Sequence, residues 1–186
     1  MNSTPVRELV YRIDADSTIL SFSDGWSDFF RNNVAQGTAI PNYVGTRLWT
    51  HVSDPTTVHL YQAIIARVRR TGKELAIPFR CDSPDKRRFM QMHVSDAGAG
   101  AIEFRSVILR EEPRTPVPLF SLSPRPSAEL IHMCSWCKKV SLPDWVEVEE
   151  AVRRLELFHS ESIPRITHTI CQSCSEILRR EIERLN

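Results

Sequence analysis

Residues 73–109, KELAIPFRCDSPDKRRFMQMHVSDAGAGAIEFRSVIL, decide the fold because they read as three strands in succession. Lys73 to Cys81, Arg87 to Ser95 and Ala101 to Leu109 are strand-like runs separated by turn chemistry. Leu75, Ile77, Phe79 and Cys81 share one face of the first run, and Met90, Met92 and Val94 share one face of the second. Moving upstream, Asp54-Pro55 opens a helix that runs to about Arg70 and is stopped by Thr71-Gly72. A short helical piece is expected near Trp49. Before it, Asp24 to Asn32 spaces Trp26, Phe29 and Phe30 as one helical face behind an Asp suited to the first turn. At the N-terminus, Glu8 to Asp14 and Thr18 to Ser23 flank Asp16-Ser17 as a hairpin. Two strands, a helical insert and three strands predict an α+β domain, a five-stranded antiparallel sheet with helices on one face.

The order of these elements, with VYRIDADSTILSFSDGW at 10–26 and FRCDSPDKRRFMQMHV at 79–94, resembles a PAS-type sensory domain over residues 1–110. The resemblance implies a small-molecule or redox sensing module, or a module for protein interaction and dimerisation through its sheet, on whose outer face Phe89, Val10 and neighbouring residues are expected to give an apolar patch. Histidines that could hold haem in such a domain are placed by periodicity. On the long helix, Val58, Tyr61, Ile64, Ile65 and Val68 cluster in one direction, while His59 points away beside Gln62 and Ala66 and reads as solvated. His93 shares its strand face with Phe89 and Gln91, away from Met90 and Met92. His51 has no assigned place. Cys81 reads as a core thiol at a strand end. The cysteine signature of flavin-binding light sensors is absent. Haem and flavin are therefore disfavoured, and the ligand of the PAS-like domain is left open.

Composition sets wider bounds. The chain has 186 residues, 24 Lys plus Arg against 23 Asp plus Glu, and a net charge of +1, a balance that argues against a general nucleic-acid or membrane-surface binder. Hydrophobic residues make up 41% and charged residues 25%, enough to bury a core. No apolar run is long enough to span a membrane, and MNSTPVREL does not read as a signal peptide, so a cytoplasmic location is expected. Residues 111–128, EEPRTPVPLFSLSPRPSA, hold five of the twelve prolines. They read as a semi-rigid linker without helix or central strand. Residues 1–128 carry 16 basic against 13 acidic side chains and residues 129–186 carry 8 against 10.

Downstream of the linker lies the chemistry. Cys134-x2-Cys137 and Cys171-x2-Cys174 are separated by 33 residues, and two such pairs allow four thiolates to close a tetrahedron around one zinc ion per chain. The gap is longer than in a zinc ribbon and holds a helix. Pro143-Asp144 would start it, Asp144 and Glu147 would form a capping box, and Trp145, Val148, Val152 and Leu155 an apolar stripe. The second pair falls at the start of another helix, with Ile177, Leu178, Ile182 and Leu185 on its apolar side. Its positive end favours thiolates at Cys171 and Cys174. A cysteine turn followed by a second pair on a terminal helix predicts a small treble-clef-like four-cysteine zinc module, residues 129–186, with two helices.

MCSWCKKV at 133–140, the W-x-E-V-E-E helix at 145–150 and THTICQSC at 167–174 resemble the small cysteine module found after PAS or receiver domains in bacterial signalling proteins. Trp136, Lys138 and His168 fall in order with the cysteines. Relatives have Gly after that histidine and Pro after the third cysteine, where this chain has Thr169 and Gln172. His168, three residues before a ligand, reads as a second-shell hydrogen-bond donor to a metal-bound sulfur, with direct ligation the alternative. His132 and His159 read as surface residues. A purely structural zinc is weighed against a thiol switch in which oxidation releases the metal. The mixed charges from Glu176 to Arg184 give no basic stripe, so nucleic-acid binding ranks lower. Four thiolates leave no open coordination position, and no nucleophile motif or phosphate loop is present, so a non-enzymatic role is expected. The expectation is a signalling protein in which a PAS-like sensor joined to a zinc module acts through a homodimer or a partner, since no kinase, cyclase or DNA-binding output follows.

Overall fold

The structure, a computed structural model, describes residues 8–33, 42–52, 54–120, 126–160 and 162–184. Leu185, the side chain of Phe30 and residues 121–125 of the segment read as a linker lie outside the described residues. The first sheet is built from β1 (Glu8–Ile13), β2 (Ile19–Phe22), β3 (Leu75–Arg80), β4 (Lys86–Gly98) and β5 (Ala101–Pro113). It is antiparallel throughout, in the order β2-β1-β5-β4-β3. Helix α1 (Asp24–Asn33) and helix α2 (Pro55–Thr71) lie in the insert between β2 and β3, with a 3₁₀ turn at Leu48–Thr50.

Local chemistry explains these boundaries. The Asp54 carboxylate accepts from the Thr57 amide at 2.7 Å and so caps α2, and Pro55 opens the helix where no amide hydrogen is needed. At its other end Gly72 adopts φ +65 and donates to the Val68 carbonyl at 2.8 Å, which ends the helix as the sequence implies. Gly98, Ala99 and Gly100 turn β4 into β5 with φ of 84°, 50° and 76° in succession, a path that glycine takes at little cost. The period-two faces are as read. Ile77, Met92, Val94, Ile102 and Phe104 are buried on one face, where they meet Leu60, Ile64 and Val68 of α2.

The outer face differs from the apolar contact surface that Phe89 and Val10 would provide. It is an ion-pair ladder, with Arg105 between Glu8 and Glu74, His93 against Glu74 at 2.7 Å, and Arg12 on Glu103. Phe89 is covered by the guanidinium groups of Arg110, 4.1 Å from its ring centre, and Arg80, at 5.7 Å.

The second sheet contains β6 (Pro126–Cys134), β7 (Val140–Ser141), β8 (Trp145–Val146) and β9 (Ile163–Thr169), in the order β8-β7-β6-β9. β6 and β9 run parallel, and α3 (Val148–Arg154) lies in the crossover between them. Helix α4 (Gln172–Arg184) follows β9 and packs against α2 and β3.

Two expectations for this region need correction. Glu111 to Pro113 complete the central strand β5, with Lys86 opposite Pro113, and β6 begins at Pro126. Over residues 114–120 the chain is tied down, since the Arg114 amide donates to the Asp85 carbonyl, the Val117 amide donates to the Pro84 carbonyl, and Val117 and Leu119 are buried. Prolines at strand ends give up no ladder hydrogen bond, so they do not exclude strands there. The helix expected from Pro143-Asp144 starts later. Trp145 and Val146 pair with Ser141 and Val140, and α3 begins at Val148 after Glu147, whose side chain makes no capping bond.

Buried residues form two clusters. One combines Val117, Leu119, Ile131, Met133, Val140, Val148 and Val152. The other joins the first sheet and α2 to Cys134, Trp136, Ile170, Cys171 and Leu178, so the cysteine segment shares a core with the first sheet. Ile177, expected in that apolar stripe, is 42% exposed.

A four-cysteine cluster and its adjoining cleft

The parallel strands β6 and β9 end side by side, Cys134 opposite Thr169, and this register brings two cysteine pairs distant in sequence to one place. Beyond β6 the chain folds into a tight turn. Cys134 donates its amide to the Lys139 carbonyl at 2.8 Å, and Lys138, at φ 63°, donates its amide to the Cys134 carbonyl at 3.0 Å. The Ser135 amide donates to the Thr169 carbonyl at 2.7 Å and locks this turn onto the end of β9. Cys171 immediately precedes α4 and Cys174 lies in its first turn, as the spacing predicts.

The four sulfur atoms lie within 4.8 Å of one another. Cys137 Sγ and Cys171 Sγ are 3.8 Å apart. A tetrahedron with metal–sulfur bonds of about 2.3 Å has an edge of about 3.8 Å, so the donor set fits a thiolate-binding ion. Cys134 and Cys171 are buried, while Cys137 and Cys174 are partly exposed. The Cys137 and Cys174 thiols and the amides of Cys137 and Cys171 all hydrogen-bond to Cys134, which holds this thiol far below its ordinary range. The same bond to Cys134 pushes Cys137 up to about 12 and Cys174 higher still. Four sulfurs at this spacing cannot all ionise without a cation among them.

Beside the cluster a cleft of about 310 Å³ opens between α2, the first sheet and the cysteine turn. Its apolar walls include Tyr61, Phe79, Met92 and Trp136, with Asp54, Lys138 and His168 among its polar groups. Tyr61 and Trp136 stand with ring centres 5.4 Å apart, and burial pushes the Tyr61 phenol up to about 12. Asp54 accepts from the Thr57 amide and hydroxyl at 2.7 Å and from the Thr169 hydroxyl at 3.3 Å, so the cap of α2 is also held by the cysteine segment. The Lys138 ammonium donates to the Ser135 carbonyl at 2.7 Å, and burial lowers its pKa. His168 lies on β9, opposite Met133, at the exposed rim of the cleft, where partial burial and the charge of Lys138 hold its imidazole below the usual value.

The remaining candidates stand apart from the cysteines. His59 is exposed with Gln62 and Ala66 on the outer side of α2, and His93 is on the outer sheet face. His132 and His159 are exposed. His51 contacts the Thr46 hydroxyl at 2.7 Å and reaches the cleft. Cys81 is half-buried after β3, its thiol pushed up by burial, and is not part of the four-sulfur cluster.

Sequence reasoning missed the cleft and a charged seam beside it. Asp82, whose side chain is fully buried, pairs with Arg80 and, at 3.2 Å, with Arg114. Arg114 also reaches Glu149 at 3.0 Å, and Arg80 reaches Glu147 at 2.7 Å. The seam ties the end of β3 to the start of α3. Only the acidic W-x-E-V-E-E stretch hinted at it.

Fold and site together define an α+β protein with a five-stranded antiparallel sheet, a second sheet and a four-cysteine cluster able to hold a metal ion. No family model and no curated protein matches the chain. Among solved structures, a domain of an HTR-like protein from Haloarcula marismortui is similar, with 16% identity and a TM-score of 0.33, covering 59% of this chain and 99% of that one. A likeness this slight defines neither family nor function. Among the described residues, no helix is long and apolar enough to cross a membrane.

Proposed function

We propose that the chain is a non-enzymatic signalling protein of the cytoplasm, a PAS-like sensor or interaction domain coupled to a treble-clef-like module built on one structural zinc ion. Cys134, Cys137, Cys171 and Cys174 are the ligands, and His168 supports them by donating a hydrogen bond to a metal-bound sulfur. The observation that carries the reading is the gathering of four sulfurs within 4.8 Å inside a core shared with the sensor-like sheet. Four thiolates in a tetrahedral arrangement suit zinc, a soft-tolerant ion without redox chemistry, and leave no position for a substrate. A partner or a second copy would receive the signal, and the charged outer face of the sheet would make that contact polar. Metal analysis of the full chain purified without added metal tests the reading. Stoichiometric zinc that is lost from a Cys171→Ser, Cys174→Ser double variant supports it, and retention of zinc by that variant overturns it.

A thiol switch is the second reading, and the partial exposure of Cys137 and Cys174 favours it. Oxidation would join two thiolates as a disulfide, with the oxidant taking two electrons, and the metal would leave. Mild peroxide separates the readings: a structural site keeps its zinc, and a switch releases it reversibly.

A further inference from the structure

We infer that the cleft beside the cysteine cluster binds a small, flat heteroaromatic molecule without net negative charge, and that its occupancy is linked to that of the metal. The inference rests on the reading of the four cysteines as a metal site. Its volume of about 310 Å³ is at the small end of the range for ligand pockets. Tyr61, Phe79 and Trp136 offer ring surfaces against which a planar molecule stacks, and Met92 supplies an adaptable contact on the sheet side.

Charge selects among flat molecules. A divalent ion with four thiolates leaves a negative centre behind the wall formed by Ser135, Trp136 and Lys138, and Asp54, the N-cap of α2, adds a further negative charge to the lining. Asp54 is held in place by Thr57 and Thr169, and its carboxylate retains acceptor capacity for a ring N–H. Lys138 offsets part of this charge, and its ammonium already donates to the Ser135 carbonyl. An anionic ring would meet repulsion that a neutral one avoids.

Linkage follows from where the wall comes from. Ser135 and Trp136 lie between Cys134 and Cys137, Lys138 follows directly, and His168 is on the strand leading to Cys171. The ion that closes the cysteine turn therefore shapes one side of the cleft. A ligand that binds only the closed turn must tighten metal binding, by reciprocity.

Benzimidazole and benzoate, flat probes of similar size, test this on the zinc-loaded full chain by nuclear magnetic resonance titration. The expected result is benzimidazole shifting the Thr57 and Trp136 signals and binding at least about tenfold tighter than benzoate. Saturating benzimidazole should also raise the share of zinc that the chain retains at equilibrium against a competing chelator. Two variants that fill the cleft, Met92→Trp and Ser135→Phe, should weaken benzimidazole at least about tenfold while zinc content and circular dichroism are retained. If one fails to fold, the other decides. No binding, shifts confined to other surfaces, benzoate binding as tightly, or full binding in a folded filled variant would overturn the inference. Equal binding by the Cys171→Ser, Cys174→Ser chain would overturn the linkage while leaving the zinc reading intact. Absence of zinc from the purified wild type would instead remove the reading beneath it.

Discussion

The Arg80 amide donates to the Trp136 carbonyl at 2.7 Å. Arg80 is the last residue of the edge strand β3, and Trp136 sits inside the first cysteine pair, so the cysteine turn accepts from an amide at the end of the free edge of the first sheet. The two parts are joined through backbone as well as through the Arg80–Glu147 ion pair. A change in the cysteine turn is thereby felt at β3.

Chelation should loosen that edge. On the proposed reading of the cysteines as a structural metal site, stripping the metal from the full chain is expected to speed hydrogen exchange at the Arg80 and Ser135 amides, because binding free energy at such a site is coupled to local folding. Unchanged protection of both amides after complete metal removal would show that the turn holds without an ion.

Arg114→Ala should be strongly destabilising. Its guanidinium, 6% exposed, pairs with the fully buried Asp82 carboxylate and donates to the Ser83 and Pro84 carbonyls, so removing it leaves Arg80 as the remaining partner of Asp82 and takes the donor from both carbonyls. The expected loss is about 2 kcal/mol or more, read from urea unfolding. A loss below about 1 kcal/mol, the size of a surface pair, would mean that the seam is solvated.

Gly25→Ala separates propensity from packing. Within helix α1 the substitution should favour the helix by about 1 kcal/mol on propensity alone. Yet an added Cβ would lie 2.4 Å from the Glu8 carbonyl oxygen of β1, which must move away. Net destabilisation of about 1–3 kcal/mol is expected, and a rise in melting temperature would refute it.

Stability should fall in acid partly through Glu149. Burial raises its pKa, but its own amide and the guanidinium groups of Arg87 and Arg114 more than offset this, so the folded value lies below the ordinary one. A depressed carboxyl stabilises the fold above its unfolded value, about pH 4.3, and loses that contribution as pH falls through the folded value. Glu149→Gln should therefore show a shallower decline in melting temperature below about pH 4.3 than the wild type. Parallel profiles would assign the acid sensitivity elsewhere.

Local signals were legible wherever neighbours in sequence do the work. The cap, first residue and stop of α2 are Asp54, Pro55 and Gly72, and each acts within its own turn. The inner and outer faces of β3 and β4 follow from alternation alone. Cys171 and Cys174 stand at the start of α4 for the same reason. Residues 145 and 146 were misread because their partners, Ser141 and Val140, compete with the helix through cross-strand hydrogen bonds that a helical stripe does not reveal. Proline content likewise masked the last residues of β5 and the whole of β6, whose prolines occupy strand ends.

The amino-acid sequence by itself determined the α+β layout of the first sheet, the helix ends and the identity of four paired thiols, since each depends on backbone chemistry within a few residues. Only the tertiary structure decided that β6 and β9 run parallel, that their ends bring the two cysteine pairs together, and that a cleft and a buried charged seam lie between the cysteine segment and the sheet. These features depend on which surfaces bury each other across more than 30 intervening residues, and burial of that kind is a property of packing in space that no local period encodes.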